Sequence, residues 1–60
     1  MITDEKRQVL ELFRKGRNLY KQMEFAEAFK TFAEALKIDP GDQPSKVYLA
    51  RCKHYAKNPP

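Results

Sequence analysis

The sequence predicts an all-α fold: three antiparallel helices, the first two forming a close pair and the third capping it. Three observations lead there. Apolar residues recur at steps of three and four along three separate stretches, the period of a helix with one buried face. Turn chemistry falls in the breaks between them, most clearly at Asp39-Pro40-Gly41-Asp42. No stretch alternates apolar and polar residues as a half-buried strand does. Short connections then make successive helices antiparallel neighbours. The whole chain, 1–60, reads as a single domain, with helices over about 4–22, 25–38 and 43–57 and a linker over 58–60.

The first helix starts after Thr3, an N-cap residue, with Asp4 and Glu5 set against the positive end of the helix dipole. Val9, Leu12, Phe13, Gly16, Leu19, Tyr20 and Met23 make its apolar stripe. No glycine or proline marks its end near Gln22–Glu24, so a left-handed residue there would be a non-glycine under mild strain. The second helix carries Phe25, Ala28, Phe29, Phe32, Ala35 and Leu36 on one stripe, with Lys30 and Glu34 four apart outside it. Pro40 disfavours helix at Asp39 and ends it. Asp42 caps the third helix and Pro44 is tolerated in its first turn. Tyr48, Leu49, Cys52, Tyr55 and Ala56 form its stripe, and Asn58-Pro59-Pro60 ends it in an extended exit.

Composition narrows the function. Sixty residues make one small domain of marginal stability. A single cysteine, Cys52, excludes an internal disulfide, and with one histidine, His54, it falls short of the four or so ligands of a structural zinc site. On a helix these two side chains point roughly 200° apart, so they form no thiolate–imidazole pair. Cys52 reads as a small core residue and His54 as solvent-facing. The two glycines are far apart, so no phosphate-cradling loop exists. No catalytic residue, cofactor site, metal site or small-molecule substrate is expected. No apolar run approaches the roughly 20 residues of a membrane span, and the polar start Met1-Ile2-Thr3-Asp4-Glu5-Lys6 is not a signal peptide. A cytoplasmic chain is expected.

The stretch Val9–Asp42 has the length of one tetratricopeptide repeat, about 34 residues. Gly16 and Ala28 stand where that family puts small residues for close helix approach, and Phe25 and Phe32 where it puts bulky core residues. Ala35 and Pro40 match its closing positions. Leu12, Lys15, Asn18 and Met23 depart from its consensus. The chain resembles a tetratricopeptide repeat of the α-α superhelix type, which implies that Gly16, Phe25, Ala28, Phe32, Ala35 and Pro40 build the helix pair. A narrower resemblance rests on Asp42-Gln43-Pro44-Ser45, Tyr48-Leu49-Ala50-Arg51-Cys52 and Asn58-Pro59-Pro60. These resemble a short segment that follows the catalytic domain in bacterial class III adenylate and guanylate cyclases. That resemblance implies a non-catalytic piece of a signalling enzyme, whose parent could be membrane-anchored, and none of the cyclase's catalytic residues carries over.

The tetratricopeptide resemblance also implies a protein-binding surface on the first and third helices: Phe13, Arg14, Arg17, Tyr20 and Lys21 with Val47, Tyr48, Arg51 and Tyr55. A basic floor with aromatic walls suits an acidic or C-terminal peptide, and the parent's own catalytic domain or a second copy of the chain are the other partners expected. The family's lysine–asparagine carboxylate clamp is not reproduced. The same basic and aromatic residues, with Lys53, are the elements of a nucleic-acid surface. Acids on both earlier helices dilute their charge, which argues against that partner. Leu10, Leu19, Phe29 and Val47 are hard to bury together, and a leftover apolar patch would mark a docking face.

Overall fold

A computed structural model describes residues 3–59 and consists of three helices: α1 (Asp4–Lys21), α2 (Phe25–Ile38) and α3 (Gln43–Lys57). Met1, Ile2 and Pro60 lie outside the described residues, and with them the first two residues of the polar start and the last of the expected exit. No strand occurs among the described residues. The second helix packs against both of its neighbours. The molecule is elongated, 39 × 19 × 13 Å.

Local chemistry sets each helix end. Thr3 Oγ1 accepts from the Lys6 N–H at 3.2 Å, which satisfies one of the unpaired donors at the start of α1. At its far end the helix stops at Lys21, one residue short of the expected limit, because the chain turns through Met23 at φ 65°. Two hydrogen bonds close that turn. The Met23 N–H donates to Tyr20 O at 3.0 Å, and the Glu24 N–H donates to Leu19 O at 2.8 Å. This is the double closure that ends many helices, here with methionine where glycine is usual. Met23 is therefore not on the inward stripe; it leaves the helix and is 56% exposed.

At the second turn the Gly41 N–H donates to Asp39 Oδ1 at 3.2 Å. Asp42 then caps α3, its Oδ2 accepting from the Ser45 N–H at 3.2 Å and from the Ser45 hydroxyl. Pro40 is exposed in this turn; it ends α2 but takes no part in the interior of the helix pair, a correction to the sequence reading.

The core is small. Val9, Phe25, Ala28, Phe32, Ala35 and Cys52 are buried, with Phe13, Leu19, Tyr20, Phe29, Tyr48 and Leu49 packed around the centre. Gly16 is buried too, and what faces it directly is the edge of the Phe32 ring: a Cβ there would meet Phe32 Cζ at 2.6 Å. Two polar residues share the interior without breaking it. Thr31 donates its hydroxyl back to Glu27 O at 2.9 Å, and Ser45 is held by Asp42. Lys30 lies 3.8 Å from Glu27, one turn back, rather than pairing with Glu34. Ala56 is exposed, lining an open groove between α2 and α3 rather than the core.

Candidate functional site: an aromatic panel flanked by arginines

The α1–α3 face gathers most of the residues that the sequence singles out. Phe13 and Tyr20 are seven apart on α1, hence on the same side two turns apart; Tyr48 and Tyr55 repeat that spacing on α3. Their rings interlock across the gap. Phe13 and Tyr48 have centroids 5.5 Å apart and nearly perpendicular planes, and Tyr20 and Tyr48 lie 5.3 Å apart at 87°. Tyr20 also meets Tyr55 at 6.1 Å. Edge-to-face contact sets the positive rim of one ring on the negative face of the next, worth about 0.5–1.5 kcal/mol per pair beyond burial.

Underneath lie Phe25 and Phe32, both from α2. Tyr20 meets Phe25 at 5.5 Å, and Phe25 meets Tyr55 at 5.3 Å. Phe32 stacks on Tyr48 at 5.3 Å with planes only 17° apart, and its edge meets Phe13 at 5.7 Å. The panel is thus backed by the core, and its four outer rings are half-buried rather than free.

Two guanidinium groups stand on it. Arg17 sits 6.0 Å from the Phe13 ring centroid and Arg51 5.9 Å from that of Tyr48, both within cation–π range. Both side chains remain exposed, so their N–H forks stay open to water. Burial pushes the Tyr20 phenol above its ordinary value of 10.0; the Tyr55 hydroxyl adds to the rise and the Arg51 guanidinium opposes it. Tyr20 therefore stays protonated at neutral pH and offers an O–H donor next to Arg51.

Arg14 and Lys21 stand slightly apart. With Arg17 and Asn18 they line a shallow depression on α1. Asn18, in the sequence only a departure from a repeat consensus, joins the basic residues because it lies one position beyond Arg17 and one turn from Arg14 and Lys21. Val47 is 47% exposed, as is Leu10. A surface of this kind can hold carboxylates by guanidinium forks and flat or apolar groups by the ring edges.

Other chemistry is poorly placed. Cys52 is fully buried, and that burial raises its thiol above its ordinary value, while His54 is exposed. Among the described residues no group of three or more His, Cys, Asp or Glu side chains could hold a metal ion, and no helix is long and apolar enough to cross a membrane.

Compared with protein-family models, with curated proteins and with solved structures, the chain matches none.

Proposed function

We propose that this chain is a non-catalytic protein-interaction module built on a tetratricopeptide-type helix pair, working as part of a bacterial class III nucleotide cyclase. The observation that carries the interaction role is the panel of Phe13, Tyr20, Tyr48 and Tyr55 with Arg17 and Arg51 lying over its rings. Rigid aromatic side chains and arginine are the residues that dominate binding energy at protein interfaces. The helix pair is supported by the buried meeting of Gly16 and Phe32, with Phe25, Ala28 and Ala35 in the same interior. The cyclase setting is supported by the resemblance of the 42–60 stretch, and the proposed compartment is the cytoplasm. In that setting the module contacts the catalytic domain or a second copy of itself and holds catalytic domains in position.

The open forks of Arg17 and Arg51 favour one further reading, a stand-alone adaptor for an acidic peptide. Sequencing the gene upstream of the codon for Thr3 separates the two. A cyclase catalytic domain in frame is expected, and a different domain there removes the cyclase setting while leaving the interaction role. For the face itself, sedimentation with rising chain concentration and titration with a glutamate-rich peptide are the measurements. Self-association or peptide binding that disappears in Arg51→Glu is expected. A strict monomer that also ignores the peptide discards this face as a protein-binding surface.

A further inference from the structure

A second groove lies between α2 and α3, lined by Ala26, Phe29 and Lys30 from the first helix and by Lys53, Ala56 and Lys57 from the second. None of the aromatic panel's residues lines it. Its floor is apolar: the half-buried Phe29 reaches the core on one side and forms the groove on the other, between Ala26 and Ala56. Alanines at these two places leave room above the phenyl ring that larger side chains would fill.

The rim has one sign of charge. Three lysines border the groove and no acidic residue lines it. Glu27, next to it on α2, lies 3.8 Å from Lys30, the only ion pair among the described residues. Among the described residues, Lys53 and Lys57 have no acidic partner within that reach. They sit four apart on α3, on one side of the helix and a turn from one another.

From this groove we infer a docking site for an amphipathic helix from another protein, with large apolar side chains over Phe29 and acidic side chains toward Lys30, Lys53 and Lys57. The floor between two antiparallel helices matches the ridge of a third, and apolar anchors three and four residues apart fit a trough of this kind. The lysine rim sets the charge of the partner, since like charge there is repelled and opposite charge is drawn in.

The probe is a synthetic amphipathic peptide of roughly 15 residues, leucines at helical spacing and glutamates beside them, titrated into the isotope-labelled chain. Amide shifts concentrated at Ala26, Phe29, Lys30 and Lys53–Lys57 are expected. The matching peptide with lysines for glutamates should bind at least about tenfold more weakly, and so should the glutamate peptide to the double variant Lys53→Glu, Lys57→Glu. Both lysines are exposed, so that variant keeps its helices, which circular dichroism checks. Equal affinity for the two peptides, or no binding at millimolar peptide, overturns the inference. Shifts confined to Phe13, Tyr20 and Tyr48 also overturn it, while leaving the aromatic panel's role intact.

Discussion

The edge of the Phe32 ring rests on Gly16: a Cβ added to that glycine would lie 2.6 Å from Phe32 Cζ and 2.8 and 2.9 Å from the two Cε atoms. The ring has nowhere to go. It is fully buried, stacked on Tyr48 and edged by Phe13. Two effects compete in Gly16→Ala. Alanine gains about 1 kcal/mol of helix propensity, whereas overpacking a filled core loses about 1–3 kcal/mol. With three ring atoms inside 3 Å the clash wins, and a net loss of up to about 2 kcal/mol is expected. Urea unfolding measures it, and an alanine variant more stable than the parent would mean that the two helices do not meet here.

The Met23 backbone supports the opposite kind of change. A side chain at φ 65° is strained by about 1 kcal/mol or more, a strain glycine does not share. Met23 is 56% exposed, so little packing is lost on its removal. Met23→Gly should raise stability by about 0.5–1 kcal/mol, seen as a higher Tm. Met23→Val, branched next to the same backbone, should lower it, and indifference to both would show that the turn is not left-handed.

Asp42 joins the cap of α3 to a buried hydroxyl. In Asp42→Ala the Ser45 N–H loses its partner at the helix start, and the fully buried Ser45 hydroxyl loses its acceptor. The first loss is worth about 0.5–2 kcal/mol, and the second is a desolvation penalty that adds to it. A total of about 1–3 kcal/mol is expected, with Asp42→Asn, which keeps an acceptor, recovering most of it. Thermal unfolding of the three chains reads this directly, and an alanine variant that melts with the parent would remove the cap.

The Cys52 thiol predicts how stability responds to alkali. Burial raises its pKa in the fold above the ordinary value of 9.0, so the folded chain holds this proton more tightly than the unfolded one. The contribution is therefore intact below about pH 9 and declines as pH climbs through the interval up to the folded pKa, by at most about 1.4 kcal/mol per pH unit. Tyr20, raised from 10.0, acts in the same direction at higher pH. Urea midpoints measured from neutral to alkaline pH should fall more steeply for the parent than for Cys52→Ala, which keeps only the tyrosine share. Parallel curves would show that the thiol is not buried.

What could be read from the chain beforehand follows from how local each signal is. The three helices were legible because periodicity and capping are short-range: Phe25, Ala28, Phe32 and Ala35 fall on one stripe, and Thr3 and Asp42 stand in front of their helices as acceptors. The partner of Gly16 was not. The tetratricopeptide resemblance put Ala28 opposite it; the nearest side chain is Phe32, one turn further along, which reaches the glycine with its ring because side-chain length and direction decide the contact. Ser45 and Thr31 stand outside the apolar stripes, yet each is buried, its hydroxyl bonded to an oxygen within four positions. Of the candidate site, the aromatic spacing on α1 and α3 was legible, whereas the cation–π seats of Arg17 and Arg51 depend on how the two helices come together. The lysine-rimmed groove was hidden for the same reason: Lys30 and Lys53 are far apart along the chain, and only the packing of α2 on α3 makes them neighbours.

Phe32 is at once the deepest ring of the interior and the floor under Tyr48 and Phe13. A chain of this size holds only on the order of 3–9 kcal/mol in total, while a partner present at a hundred times its Kd adds about 2.7 kcal/mol. Whatever settles on the outer rings therefore presses on the same residue that locks the helices together. A partner bound there would extend the hydrophobic interior of this chain.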